Sequence, residues 1–194
     1  MKLRPYGDTA LLVDCESLEE AQGWYAALCD HVPAVLGART VLLRGVPSDL
    51  RTLVARTSPT APGTSPATQT VEIPVTYDGV DLDEVARLTG LPATGVIEAH
   101  TASTWTVAFG GFAPGFCYLV GGDPRLVVPR RDSPRARVPA GSVGLAGEFS
   151  GVYPRESPGG WQLIGHTTLA MWDSRRDEPA LLVAGMTVRF TVAS

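Results

Sequence analysis

The pattern of apolar and polar residues near the start of the chain predicts a small α+β unit. Apolar runs over residues 9–13 and 40–43 are typical of half-buried strands. A short helix is predicted over residues 49–55, where Ser48 is in position to cap it. A unit of about 56 residues buries little of its surface, so we expect it to be only marginally stable alone.

The longer helix of this unit is marked by Ser17 and Glu20, which have the spacing of a capping box. In that motif the serine and glutamate side chains accept hydrogen bonds from backbone amides that the first helical turn leaves free. The sequence therefore predicts a helix over residues 18–29. The residues expected on its buried face are Leu18, Ala21, Tyr25 and Leu28.

The second part of the chain changes from two early helices to many short strands. A strand is predicted over residues 71–76, followed by helices over 82–88, capped by Asp81, and over 94–101. Between residues 110 and 160 the chain has 11 glycines and 7 prolines in 51 residues. That density excludes long helices and favours short strands joined by tight turns. Further strands are predicted over residues 161–164, 169–172 and 186–192.

Residues 57–70 separate the two parts. They contain Thr, Ser, Pro, Ala, Gly and one Gln, with no charged or aromatic side chain. Three prolines keep such a segment extended, so it is predicted to be a semi-rigid linker. The expected organisation is a small α+β domain over residues 1–56 and a mainly β domain, built as a mostly antiparallel sheet or barrel, over residues 71–194.

Composition and charge exclude several classes of function. A net charge of −4 and a pI near 5.3 produce no field that would hold a polyanion, which disfavours nucleic acid and anionic membranes as partners. Cys15, Cys29 and Cys117 are too widely spaced for a disulfide framework or a zinc site. No apolar run approaches the roughly 20 residues of a membrane span, and the start of the chain lacks the apolar core of a signal peptide. A soluble, cytoplasmic protein is predicted.

Lysine is almost absent from the chain. Lys2 stands alone beside fifteen arginines. A P-loop, a pyridoxal-phosphate Schiff base and a biotin carrier each need a lysine in a defined context. None of these three sites can be built from this chain alone.

Five arginines lie within 13 residues of an otherwise acidic chain. Guanidinium groups bind carboxylates and phosphates through paired hydrogen bonds, so the cluster predicts a site for a small anion. A solvated loop, or pairing with Asp123 and Asp132, is the alternative. The cluster consists of Arg125, Arg130, Arg131, Arg135 and Arg137.

A glycine-rich segment with three aromatic residues, GGFAPGFCY over residues 110–118, follows the predicted helices. Glycine lets the backbone approach a ligand and proline fixes the turn, so the segment is interpreted as one wall of a pocket or as a turn that lines the core. His100 lies just before this segment and is placed to reach such a pocket as an acid, a base or a hydrogen-bond donor. A structural role is the alternative for this histidine.

These motifs resemble the signature of the 5-oxoprolinase B-subunit family, formerly called allophanate hydrolase subunit 1. The resemblance extends in order over residues 73–190. The chain departs from the family pattern at Phe149-Ser150, in place of Gln-Thr, and at Gly165-His166-Thr167-Thr168, in place of Gly-Arg-Thr-Pro. The matching segments are GFAPGF at 111–116, Pro129-Arg130 with Pro134-Arg135, VPAGSVG at 138–144, Val152-Tyr153-Pro154 and SPGGW at 157–161.

The resemblance implies a fold of the α+β and mainly β classes, with a small N-terminal α+β domain followed by a cyclophilin-like β-barrel domain. It implies a non-autonomous subunit of an ATP-dependent 5-oxoprolinase, which opens a cyclic amide, 5-oxoproline, to glutamate. The expected partners are a carboxyltransferase-like protein of the C-subunit type and a protein of the A-subunit type, with ATP and Mg²⁺ held largely by a partner. The alternatives are a histidine-kinase inhibitor of the KipI type and a subunit of an allophanate hydrolase or a urea carboxylase-like carboxyltransferase.

The matched motifs, taken with side-chain chemistry, predict what this chain contributes to such a site. Phosphorylation of an amide oxygen needs cations near the developing charge, a role expected of the arginines. His100 is the expected catalytic residue, and no metal ligands are predicted. The expected substrate-binding residues are Phe112, Pro114, Gly115, Phe116, Arg130, Arg135, Arg137, Ser142, Tyr153 and Gln162.

Overall fold

The computed structural model describes residues 1–60 and 69–193. The chain divides into two compact units, Met1–Pro66 and Ala67–Ser194. The linker expected over residues 57–70 falls largely outside the described residues, so its extended form and the exact domain boundaries stay predictions. None of the helices in the described part has the length and apolar character that crossing a bilayer requires.

The first unit is a four-stranded antiparallel sheet with two helices. Its elements are β1 Lys2–Pro5, β2 Ala10–Asp14, α1 Leu18–Leu28, β3 Ala34–Leu36, β4 Thr40–Arg44 and α2 Pro47–Arg56. The strands lie in the order β1-β2-β4-β3. The edge strand β1 carries Pro5 and two charged residues, which explains why its apolar pattern is too weak to predict a strand.

Helix α1 begins where the capping box predicts. The Glu20 N–H donates to Ser17 Oγ at 3.1 Å. The Glu20 carboxylate accepts from the N–H of Glu16, at 2.7 Å, rather than from that of Ser17. Helix α2 departs from the prediction, since it begins at Pro47 and Ser48 does not cap it. Proline has the φ angle of a first helical residue and needs no hydrogen-bond partner there.

The second unit is built on a seven-stranded sheet. Its elements are β5 Thr70–Val75, α3 Leu82–Thr89, α4 Ala93–Ala102, β6 Trp105–Gly110, β7 Cys117–Val120, a 3₁₀ turn Pro124–Leu126, β8 Arg135–Val138, β9 Ser142–Ala146, β10 Phe149–Val152, β11 Ser157–Gly159, β12 Gln162–His166 and β13 Thr187–Val192. The sheet order is β12-β9-β10-β7-β6-β13-β5, and β8 pairs with β11 in a separate ribbon. The strand expected over residues 169–172 is wrong, because only Trp172 forms a single bridge, to Ala180.

The outer strands of this sheet meet at one end. The Thr76 N–H donates to the His166 carbonyl at 2.8 Å, and the His166 N–H donates back at 2.9 Å. These two bonds join the continuation of β5 to β12, so the sheet is nearly closed into a barrel. The expected fold class, mixed α and β with a barrel-like second domain, is confirmed.

His100 lies in the barrel interior and is fully buried. Its Nδ1 is 2.7 Å from the Tyr77 hydroxyl and its Nε2 is 2.9 Å from Ser150 Oγ. The imidazole also stacks on the Phe190 ring, with 4.2 Å between centroids. Burial lowers the pKa of His100 to about 3, which keeps the ring neutral near pH 7. The structure therefore places His100 in the core, and this placement does not support the expected catalytic role.

Candidate functional site

A groove lined by aromatic side chains lies beside β7, β9, β10 and the start of β12. Its volume is about 490 Å³, within the range of small-molecule sites. The rings pack edge to face, with 5.3 Å between the centroids of Phe116 and Trp161 and 5.4 Å between those of Phe116 and Tyr153. We call this the aromatic groove. Its aromatic residues are Phe112, Phe116, Tyr118, Phe149, Tyr153 and Trp161.

One wall of the aromatic groove depends on a backbone conformation that is rare outside glycine. Phe112 has a φ of 66°, and the Ala113 N–H donates to the Gly111 carbonyl at 2.7 Å. This bond across one residue, together with the positive φ, is typical of a strained γ-turn. The turn holds the Phe112 ring with its centroid 5.3 Å from that of the Phe116 ring. The residue Phe112 is 59% exposed.

Gly115 lies behind this wall and does not line the groove itself, and only glycine fits at its position. Its φ is 82°, and an added Cβ would lie 2.7 Å from the Cβ of Trp172. Pro114, which lies between Phe112 and Gly115, is exposed and does not line the groove. The glycines and proline of this segment therefore shape the wall, and the aromatic rings form its surface.

Replacing Phe112 with glycine is expected to leave the free energy of unfolding unchanged or to raise it by up to about 1 kcal/mol. Relief of a strain of about 1–3 kcal/mol offsets the extra chain entropy of glycine in the unfolded state. Urea unfolding measures this, and Phe116→Ala is the comparison, since its buried ring should cost about 3–5 kcal/mol. A loss above about 1 kcal/mol in Phe112→Gly would show that the Phe112 ring is part of the core.

Arg130 is the one cation among the described residues that line the aromatic groove. In the part of the chain that the structure describes, Arg130 has no carboxylate within 4.0 Å. Burial raises the pKa of the Tyr118 and Tyr153 hydroxyls, and the Arg130 charge acts in the opposite direction on both. The other four arginines of the cluster do pair: Arg125 with Asp123 at 2.6 Å, Arg131 and Arg135 with Asp81 at 3.0 and 2.6 Å, and Arg137 with Glu156 at 3.7 Å.

Asp81 is the buried carboxylate that holds two of these arginines. Its Oδ1 accepts from both Arg131 and Arg135, and its Oδ2 accepts from the Leu163 N–H at 2.7 Å. Asp81 stands at the N-cap position of α3, as predicted, but its side chain forms no capping hydrogen bond. Two guanidinium donors and a buried strand amide occupy the carboxylate instead, which corrects the expectation that it caps the helix.

Gln162 is buried and does not line the aromatic groove. Its Nε2 donates to the carbonyl of Pro129 at 3.2 Å, and Pro129 does line the groove. Its Oε1 has no hydrogen-bond partner in the described residues, and neither do Arg131 Nε and Arg135 Nη1. Gln162 therefore supports the wall beside Arg130, and we do not assign it a contact with a ligand.

Seven of the eleven predicted site residues line one of two grooves, and the other four, His100, Pro114, Gly115 and Gln162, line neither. Phe112, Phe116, Arg130 and Tyr153 come together in the aromatic groove. Arg135, Arg137 and Ser142 line a second groove of about 410 Å³, together with Asp78 and His166. We call this the polar groove.

Three aromatic residues of the site were not among the predicted binding residues. Tyr118, Phe149 and Trp161 line the aromatic groove. Alternation along a strand could have indicated Tyr118, because it lies two residues after Phe116 and therefore on the same face. No local pattern indicates Phe149 or Trp161, since strand pairing across the barrel brings them there.

Among residues 1–60 and 69–193, no three His, Cys, Asp or Glu side chains come together as a metal site would require. Two acidic side chains at or beside the polar side of the barrel already have partners. Asp81 binds two arginines, and Asp78 Oδ1 lies 2.8 Å from His166 Nδ1.

Comparison with known proteins identifies the family. Residues 1–182 match the family model for the carboxyltransferase domain, subdomain C and D. The chain belongs to this family. It is 51% identical to the B subunit of 5-oxoprolinase from Escherichia coli O157:H7 over 128 residues, which are 64% of this chain and 59% of that protein. It is 50% identical to the B subunit of 5-oxoprolinase from Bacillus subtilis (strain 168) over 123 residues, which are 62% of this chain and 51% of that protein.

The matched segments thus span little more than half the length of these curated relatives. The resemblance to the 5-oxoprolinase B-subunit family, which the GFAPGF and VPAGSVG motifs carry, is confirmed. The curated relatives are named as one subunit of an enzyme, which implies that such proteins work with partner subunits.

Solved structures agree with this family fold. A conserved uncharacterized protein from Pyrococcus horikoshii is 33% identical with a TM-score of 0.63, and the match covers 100% of this chain and 98% of that one. The urea carboxylase of Kluyveromyces lactis gives a TM-score of 0.71 at 18% identity, over 99% of this chain and 22% of that one. The second match shows a shared fold only.

Proposed function

We propose that this chain supplies one side of the substrate site of an ATP-dependent 5-oxoprolinase, which converts 5-oxoproline to glutamate. The observation that carries the proposal is Arg130, a guanidinium without a carboxylate partner in the described residues, beside an aromatic groove of about 490 Å³. 5-Oxoproline is a small, nearly flat lactam ring with one carboxylate. Aromatic walls suit the ring, and a single free guanidinium suits the carboxylate.

In this proposal the chain binds and orients the substrate. Arg130 holds the carboxylate, and the rings of Phe112, Phe116 and Trp161 exclude water from the lactam. When bound in the complex, ATP would supply the phosphoryl group that makes the amide carbon more electrophilic. In the described residues no three carboxylate, His or Cys side chains come together as a Mg²⁺ site would need, and the buried Asp81 already accepts three hydrogen bonds. We therefore assign the nucleotide and its metal largely to a partner.

The proposed partners are a carboxyltransferase-like protein of the C-subunit type, which would complete the site, and a protein of the A-subunit type. Phe112 at the rim of the aromatic groove is 59% exposed, so a second polypeptide has an apolar surface to cover. The subunit designation of the curated relatives supports the same arrangement. The cytoplasmic setting predicted from the unpaired cysteines belongs to this proposal too.

Replacing Arg130 with glutamine is expected to raise the KM for 5-oxoproline about 10- to 150-fold. A hydrogen bond to a charged group contributes about 1.5–3 kcal/mol, and glutamine retains a donor but not the charge. The measurement is ADP release by the assembled complex with 5-oxoproline and ATP. Arg125→Gln is the matched control, because Arg125 lies outside the groove and already pairs with Asp123.

Two outcomes would contradict the proposal. If the wild-type complex releases no ADP with 5-oxoproline but consumes allophanate or a carboxybiotin donor, the substrate is not 5-oxoproline. An unchanged KM in Arg130→Gln would remove Arg130 from the site.

A further inference from the structure

The polar groove carries charged side chains of both signs and has no part in the function proposed above. Its volume is about 410 Å³, which suits a small molecule. It opens on the β9 and β12 side of the barrel, between the loop that follows β5 and the ribbon strand β8. The side chains that could bind a ligand are Asp78, Arg135, Arg137, Ser142 and His166.

Close backbone packing holds Asp78 in the groove. The next residue, Gly79, donates its N–H to the Ile164 carbonyl at 3.2 Å, and an added Cβ at Gly79 would collide with the Ile164 backbone. Two residues further on, the Asp81 N–H donates to the Leu163 carbonyl at 2.9 Å. The loop is therefore fixed on β12, and the position of Asp78 is set by the fold rather than by its exposed side chain.

His166 and Ser142 face each other across the floor of this groove. They are direct partners in the antiparallel pair of β12 and β9. The Thr167 N–H donates to the Gly141 carbonyl at 2.9 Å, so His166 and Ser142 form the pair without mutual hydrogen bonds, in which side chains approach most closely. His166 Nδ1 lies 2.8 Å from one oxygen of Asp78, which leaves the other oxygen of that carboxylate for a ligand.

Neither of the two arginines of the polar groove is fully neutralised by a carboxylate, so both are available to bind an anionic group. Arg137 lies 3.7 Å from Glu156, but the two side chains are 82% and 60% exposed, so this pair is weak. Arg135 shares the Asp81 carboxylate with Arg131, so two guanidinium groups meet one carboxylate. Arg135 Nη1 also has no hydrogen-bond partner in the described residues.

We propose that the polar groove binds a free α-amino acid. Its carboxylate would bind Arg137 and Arg135, its ammonium the free oxygen of Asp78, and Ser142 would add a hydroxyl hydrogen bond. A simple anion would be repelled by the negative charge of Asp78, and a simple cation would be repelled by the positive charges of the two arginines. A zwitterion satisfies both signs at once. This site is distinct from the aromatic groove, and the inference does not depend on the proposed oxoprolinase activity.

The test is isothermal titration calorimetry of the full chain with each of the twenty standard L-amino acids. The tightest ligand is then repeated as its N-acetyl form, which lacks the ammonium. We expect at least one amino acid to bind and its N-acetyl form to bind about tenfold more weakly or worse. Absence of binding by all twenty, or equal binding of the N-acetyl form, would overturn the inference.

Four variants locate the site. Arg137→Gln is expected to weaken binding about tenfold or more, and Asp78→Asn to remove the preference for the ammonium. Glu156→Gln removes the competing carboxylate and should tighten binding severalfold. Arg130→Gln, in the other groove, should bind like the wild type. Loss of binding in Arg130→Gln with no loss in Arg137→Gln would place the ligand in the aromatic groove and overturn the assignment, whatever the activity of the assembled complex.

Discussion

Replacing Asp81 with alanine is expected to lower the free energy of unfolding of the second unit by about 3–5 kcal/mol. The carboxylate is almost fully buried and neutralises two guanidinium groups, those of Arg131 and Arg135. Its removal would leave both charges uncompensated and the Leu163 N–H without its acceptor. The cost is therefore that of a broken buried ion pair, not that of a lost helix cap.

Urea unfolding followed by tryptophan fluorescence measures this change, since Trp105 and Trp161 are buried in the second unit. Asp123→Ala is the control. The Asp123 carboxylate accepts from the Arg125 N–H and pairs with the exposed Arg125 side chain, so its loss should cost about 1 kcal/mol or less. A loss below about 1 kcal/mol in Asp81→Ala would show that the three hydrogen bonds to Asp81 do not stabilise the unit.

Acid is expected to destabilise the second unit through His100. Burial lowers its pKa in the folded state to about 3, whereas the unfolded value is near 6.5. Between these values the unfolded chain binds more protons than the folded chain, so stability rises with pH. The contribution of His100 is complete above pH 6.5. It decreases by about 1.4 kcal/mol for each pH unit below that and levels off near pH 3.

The free energy of unfolding, measured by urea at pH 6.5 and pH 5, should therefore fall by about 2 kcal/mol. Within this window the carboxylates with lowered pKa, such as those of Glu20 and Asp123, stay ionised. His100→Gln should be less stable at pH 7 but nearly independent of pH over the same range. If the free energy of unfolding of the wild-type protein does not change between pH 6.5 and pH 5, the claim that His100 is buried and neutral in the folded state is contradicted.

Local patterns predicted the elements whose determinants lie within a few residues of each other. Ser17 caps α1 and α3 begins at Leu82, both where the sequence places them. Asp81 shows where such reasoning ends, because it has the position of a helix cap. Its real partners, Arg131 and Arg135, lie 50 and 54 residues away, and no local pattern reveals them.

For the candidate site too, the sequence predicts which residues cluster but not which partners they have. The sequence shows that five arginines cluster, but only the fold shows which have carboxylate partners, and this singles out Arg130. His100 was expected at a pocket because it ends a helix just before the glycine-rich loop. The fold turns its ring inward, against Phe190. Which face of α4 packs on the barrel depends on strands that are distant in sequence.

The central question is whether the aromatic groove holds the lactam beneath a second polypeptide. Hydrogen–deuterium exchange of the assembled complex, with and without 5-oxoproline, answers it most directly. We expect substrate to slow exchange of the backbone amides over residues 110–118 and 158–161, which form or adjoin the groove wall. Protection confined to the partner subunits or to the polar groove, with these two segments unchanged, would contradict that placement.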